Sequence, residues 1–174
     1  LLTGEVGAGK TTLVRHMLGQ IDTKVDVAMI LNTNVSSEQL LYMILTQYEI
    51  TGGQGGKARM LDALNQSLID RFSRNRHALL IIDEAQNLGL DTLEQLRLLT
   101  NLETEKQKLL KIILLGQPEL RQLLDQEEVA QISQRITSRY HLPPLAAEDI
   151  AAYVEHRLAV AGGRKRLFSE AALK

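Results

Sequence analysis

The sequence predicts an α/β domain built on a parallel sheet in a three-layer sandwich, and three observations predict it. Apolar runs of strand length alternate with stretches of helical period along the 174 residues. One of those runs, residues 78–82, is continuously apolar, as strands covered on both faces are, and residues 109–115 form another strand of buried type. A glycine-rich loop, Gly4-Glu5-Val6-Gly7-Ala8-Gly9-Lys10-Thr11, separates the first apolar segment from the first helix. Alternation of this kind closes as a parallel sheet with helices on its faces.

Leu1, Leu2 and Thr3 supply the strand before the loop, so the chain is expected to begin inside that strand. A helix follows at once, with Leu13, Val14, Met17 and Leu18 on one side and Gly19 to stop it. Residues 25–31 are β-branched and apolar enough for a second strand. Ser36 or Ser37 then caps a helix carrying Leu40, Leu41, Ile44 and Leu45, which ends before the flexible stretch Thr51-Gly52-Gly53-Gln54-Gly55-Gly56. Leu61, Leu64, Leu68, Ile69 and Phe72 recur at helical spacing, and the 78–82 run follows, ending at Asp83. Asp91 and Glu94 have the spacing of a capping box, opening a helix with a core stripe of Leu93, Leu96, Leu99 and Leu102. The 109–115 strand closes at Gly116-Gln117-Pro118, and a helical stretch then runs to about Gln134. Ile136, Ser138, Tyr140 and Leu142 alternate with Arg135, Thr137, Arg139 and His141 as a short strand, stopped by Pro143-Pro144. Ile150, Val154, Arg157, Leu158 and Ala161 form a last helix before Gly162-Gly163. Ser169-Glu170-Ala171-Ala172-Leu173-Lys174 reads as an N-cap and an unfinished helix, with a further module expected beyond it.

Hydrophobic residues make up 44% and charged residues 24%, an ordinary globular composition that excludes a disordered reading. Cysteine is absent, which excludes disulfides, thiolate zinc sites and cysteine nucleophiles. Net charge is −1 and aromatic residues are 3%, so neither a global basic field nor stacking platforms point to nucleic acid. No 18-residue apolar run or signal-peptide pattern occurs. His16, His77, His141 and His156 lack metal-ligand spacing, and Arg164-Lys165-Arg166 reads as a solvated basic cluster.

A loop that wraps a triphosphate must turn several main-chain N–H groups inward, and side chains at Gly4, Gly7 and Gly9 would block that approach. Lys10 supplies a mobile cation for the β and γ phosphates, the Thr11 hydroxyl is a hard oxygen for Mg²⁺, and Thr12 continues the loop into the helix N-terminus. A dinucleotide fingerprint is disfavoured, because the frame from Gly7 and Gly9 meets Thr12 where a third glycine belongs. At the tip of the 78–82 run, Asp83 is placed to hold Mg²⁺ through water and Glu84 to act as general base towards an attacking water. Gln117 follows the 109–115 strand, where its amide reaches between a γ-phosphate and that water. Arg135 and Arg139 share one face of their expected strand, and either suits charge stabilisation at a neighbouring subunit's phosphate.

On these residues the chain resembles the AAA+ ATPases, and within them the ExeA/GspA-like secretion and MshM-like pilus ATPases. The loop Gly4–Thr11 is generic to phosphate-loop proteins. The resemblance is carried on by Asp83-Glu84-Ala85-Gln86-Asn87-Leu88 and the run from Leu96 to Thr104, then Gly116-Gln117-Pro118-Glu119-Leu120, extended by Gln134-Arg135-Ile136 and Tyr153–Leu158; Asn101-Leu102-Glu103-Thr104 with Gly116–Leu120 is specific to this branch. The resemblance implies a five-stranded sheet ordered 5-1-4-3-2, with Gln117 at the sensor-1 position and Arg135 as arginine finger. It divides the chain into a nucleotide-binding core over 1–144, truncated at its start, and the beginning of a helical lid over 145–174. It also implies ATP and Mg²⁺ as ligands, hydrolysis, and a homo-oligomer or a hetero-oligomer with another secretion or pilus protein. The machine is a type II secretion apparatus or an MSHA-type pilus, the latter preferred, at the cytoplasmic face of a bacterial inner membrane and attached only through parts outside this chain. The competing readings are a DNA-associated AAA+ regulator of transposition or replication-initiator type and an ATP-dependent scaffold that does not turn over.

Overall fold

A computed structural model describes residues 1–53, 55–104, 107–163 and 168. The Arg164-Lys165-Arg166 cluster and the expected helix after Ser169 lie outside the described residues. Two compact units divide the chain, Leu1–Leu142 and Pro143–Lys174.

In the first unit, β1 (Leu2–Gly4), β2 (Val25–Ile30), β3 (His77–Ile82), β4 (Leu110–Gly116) and β5 (Tyr140–Leu142) form one sheet in the order β2-β3-β4-β1-β5. Every ladder is parallel, with Ile30 opposite Ile82, Ile82 opposite Leu114, and Thr3 opposite both Gly116 and His141. This is the order that the resemblance implies, and all five strands end on the same edge.

Period-two alternation sorts β3 between two cores. Leu80 and Ile82 face the larger one, with α2 (Ser37–Gln47), α3 (Lys57–Ser73), α4 (Leu90–Leu99), α5 (Glu119–Leu124) and α6 (Ala130–Gln134). Leu79 and Ile81 face the smaller, where α1 (Lys10–Leu18) packs Val14. Ile30, Leu41, Ile44, Leu64, Leu80, Leu93, Leu96 and Leu99 are all buried, so an aliphatic core replaces the aromatic one the composition lacks. Burial of such side chains stabilises the fold by about 1.5–3 kcal/mol each.

Four local expectations are corrected. Met17 is 45% exposed, while Val14 is buried and Leu13 and Leu18 pack against the same smaller core, so α1 turns three of its four expected residues inward. The Asp91–Glu94 box does not form: Gly89 is the N-cap, Asp91 sits inside the first turn, and Glu94 instead binds Arg97 at 2.7 and 2.8 Å. Ser36 does close such a box, with Gln39 answering its N–H. The long helical stretch after Pro118 is broken between α5 and α6 by a 3-10 turn at Glu127–Val129. The strand expected from 135 shrinks to Tyr140–Leu142: Arg135 and Ile136 donate back to Ile132 and Ser133 as a turn, and the ladder with β1 begins only at Tyr140. Arg135 and Arg139 therefore share no strand face.

The second unit contains α7 (Ala147–Val160), which ends at Ala161 before Gly162 takes a φ of +81°. Among the described residues no helix is long and apolar enough to cross a membrane.

At the start of β2 the half-buried Asp26 accepts from Arg76 and Arg71, and Arg71 also donates to the Tyr48 carbonyl at 2.6 Å and lies over the Tyr48 ring. The hydrogen bond from Arg76, with help from Arg71, holds the Asp26 carboxyl below its ordinary range despite partial burial. A carboxylate whose folded pKa is lowered adds stability above its unfolded pKa, about 3.9, and loses it as pH falls through the folded value. Asp26→Asn is expected to lower the thermal midpoint at pH 7 by several degrees, with the two proteins converging as pH drops below 4; scanning calorimetry across pH 3–7 measures the difference.

Candidate nucleotide site

The Gly4–Thr11 loop leaves the tip of β1 and turns directly into α1. Gly7 and Gly9 take φ of +79° and +91°, conformations costly for any residue with a Cβ. Gly4 is needed for a different reason than clearance for a ligand: a Cβ there would stand 2.7 Å from the Leu142 carbonyl oxygen on β5. The loop's first glycine is thus fixed by strand packing. Ala8 N–H closes a turn onto the Glu5 carbonyl at 3.2 Å, and Val6 projects 77% exposed at the tip. The first hydrogen bond of α1 runs from Leu13 N–H to Gly9, which leaves the amides of Lys10, Thr11 and Thr12 without an acceptor in the helix.

Lys10 is buried at 6% exposure, with Nζ donating to the carbonyls of Gly4 at 2.8 Å and Glu5 at 3.0 Å. An ammonium has three donors, so one remains for an anion. Thr11 Oγ1 donates to Asp83 Oδ2 at 2.7 Å. Asp83, 5% exposed, extends the β2–β3 ladder by donating its N–H to Ile30, and its other oxygen accepts from Glu84 N–H at 2.9 Å. A hydroxyl and a carboxylate meeting at that distance form a set of hard oxygens of the kind Mg²⁺ takes, so these residues fit that ion.

Glu84 occupies the left-handed region at φ +50°, its carbonyl fixed by the Thr33 hydroxyl at 2.8 Å. Its Oε2 accepts from Gln86 Nε2 at 2.6 Å and Gln117 Nε2 at 3.3 Å. The Gln86 bond first, then Gln117 and the charge of Lys10, hold its carboxyl below the ordinary value against the opposing effect of burial. The group is a carboxylate at neutral pH.

Six of the sequence-derived residues therefore meet at one sheet edge: Gly4, Lys10 and Thr11 from β1 and α1, Asp83 and Glu84 from β3, and Gln117 from β4. Arg135 stands apart. It is exposed at the C-cap of α6 and lines a groove of about 580 Å³ with Leu110 and Lys111, at the end of β4 opposite Gln117. Its charge is felt by Glu103, whose carboxyl is held down chiefly by its hydrogen bond with Lys108. Arg139 is engaged within its own chain, donating to the Ser133 hydroxyl at 2.6 Å and carbonyl at 3.1 Å. Gln86 and Thr33 had no site role in the sequence reading. The one local signal for Gln86 is an amide two residues after the acidic pair, and Thr33 has none.

The AAA domain family matches residues 1–124. The chain is 44% identical over its whole length to General secretion pathway protein A of Aeromonas hydrophila, and spans 32% of that protein. The fold is similar to the Aeropyrum pernix ORC2 protein in ADPNP-ADP complexes, with a TM-score of 0.73 at 20% identity over 91% of this chain and 45% of that one. It is similar also to Cdc6p from Pyrobaculum aerophilum, with a TM-score of 0.72 at 20% identity over 91% and 42%.

Gly4→Ala tests the packing argument directly. Overpacking against the Leu142 carbonyl is expected to cost about 1–3 kcal/mol in urea unfolding, whereas a neutral result would return Gly4 to a purely ligand-facing role.

Proposed function

The chain belongs to the AAA domain family, and on that footing we propose that it binds and hydrolyses ATP to power or regulate assembly of a bacterial envelope machine. The observation that carries this reading is the convergence of a buried cation, a hydroxyl–carboxylate pair and a deprotonated Glu84 at the ends of β1 and β3, with Gln117 between them on β4.

In the proposed reaction the loop amides of Gly7 and of Gly9 to Thr12, with the remaining N–H of Lys10, hold the β and γ phosphates. Glu84 takes a proton from water as the water oxygen attacks the γ-phosphorus, and the bond to the β–γ bridging oxygen breaks to leave ADP and phosphate. Gln117, within reach of Glu84, orients the water against the γ-phosphate. Thr11 and Asp83 would hold Mg²⁺, which when bound neutralises charge on the phosphates.

Arg135 is the proposed arginine finger, acting across a subunit boundary in a homo-oligomer or in a hetero-oligomer with another envelope protein. Its exposure at the far end of β4 supports action on a neighbour's nucleotide rather than its own. Residues 145–174 are the proposed start of a helical lid, following a core over 1–144. The 44% identity to a general secretion pathway protein supports the type II secretion form of the reading, with the MSHA-type pilus as the same chemistry serving another machine. The proposed place is the cytoplasmic face of the inner membrane. A net charge of −1 supplies no basic surplus, which counts against the DNA-associated reading.

Glu84→Gln is expected to slow phosphate release about a hundredfold or more with ATP affinity unchanged within about twofold. Equal release rates would remove Glu84 as the general base. Mixing Glu84→Gln with Arg135→Ala protein should restore activity above that of either alone, since one supplies the arginine and the other the base; no recovery would remove the action of Arg135 across subunits.

A further inference from the structure

Gln86 uses both ends of its amide in fixed directions. Nε2 donates to Glu84 Oε2 at 2.6 Å, and Oε1 accepts from the main-chain N–H of Gln117 at 3.1 Å. One side chain thus ties the carboxylate at the end of β3 to the backbone at the end of β4. Space for it is reserved on β4: a Cβ at Gly116 would stand 2.8 Å from Gln86 Oε1. The Glu84 main chain is pinned independently, by the Thr33 hydroxyl on its carbonyl and the Asp83 carboxylate on its N–H. What Gln86 adds is control of the side chain alone.

We propose that Gln86 is a positioning residue for Glu84, holding Oε2 against the end of β4 so that Oε1 is the oxygen presented to the attacking water. The inference rests on the reading of Glu84 as general base. Both Gln86 and Gln117 donate to Oε2, and among the described residues Oε1 accepts from no side chain. A carboxylate on a freely rotating stem would offer either oxygen in many directions; two amide donors on one oxygen leave the other aimed and unoccupied. The amide cannot serve reversed, because its oxygen would then face the carboxylate and its NH₂ the Gln117 N–H. Any other group at position 86 must donate on one side and accept on the other.

This requirement separates positioning from mere support. Gln86→Glu keeps an acceptor for the Gln117 N–H and loses the donor to Glu84, whereas Gln86→Met keeps the volume and loses both. In the intact protein, phosphate-release rates and affinity for a fluorescent ATP analogue would be measured for each. Both variants are expected to lower kcat about tenfold to a hundredfold, with nucleotide affinity within about twofold of the parent. A Gln86→Glu protein with the parent's kcat would overturn the proposal.

Thermal unfolding gives a second readout that needs no turnover. Gln86→Glu should lower the midpoint in the parent, where two carboxylates face each other. It should not do so in Glu84→Gln, whose amide can donate to the carboxylate at position 86. An equal loss in both backgrounds would show that the contact does not exist and would also overturn the proposal. Full activity of Glu84→Gln alone would remove the general-base reading, and the unfolding cycle would still report the clamp. Loss of activity in Glu84→Gln beside full activity in Gln86→Glu would remove only the positioning role.

Discussion

The hydrogen bond from Thr11 to Asp83 joins the tips of two strands that share no ladder. β1 and β3 are separated by β4, so the loop that follows β1 can reach the acidic pair that follows β3 only across the end of β4. β4 finishes there at Gly116, where a Cβ would meet Leu120 and Gln86. The order β2-β3-β4-β1-β5 is therefore the condition for the site: placing the β1 tip next to β3 would leave no strand to carry Gln117 between them.

Electrostatics then fix the state of each group. Lys10 and Asp83 are both buried, and a buried charge must be paired or hydrogen-bonded. Lys10 meets this with two loop carbonyls, Asp83 with a hydroxyl and a main-chain N–H. Glu84, in the strained left-handed region, keeps its proton off through amide donors and the charge of Lys10. Strain of this kind persists where the surroundings over-determine the conformation. Here they do so with the Thr33 hydroxyl on the Glu84 carbonyl and the Asp83 carboxylate on its N–H.

Much of this was legible in the sequence where chemistry and element are contiguous. Gly4 to Thr11 and Asp83-Glu84 are short strings attached to their own strands, so residue type and position could be read together. Contacts that depend on register were not. The approach of Gly4 to Leu142 joins residues 138 apart, and the bridge from Gln86 to Gln117 becomes possible only once β3 and β4 are aligned. Local patterns also misled when competitors were near. The Ser36–Gln39 box forms while Asp91–Glu94 does not, because Gly89 begins the helix earlier and Arg97 claims Glu94. The alternation from Arg135 to Leu142 looked like a strand, but only Tyr140–Leu142 finds β1 to pair with.

The central claim is that this sheet edge holds a nucleoside triphosphate through Lys10. Isothermal titration of Mg·ATP into the 174-residue chain and its Lys10→Ala variant tests it most directly. Saturable binding that weakens at least about tenfold in the variant is the predicted result; binding of equal strength in both would contradict the account.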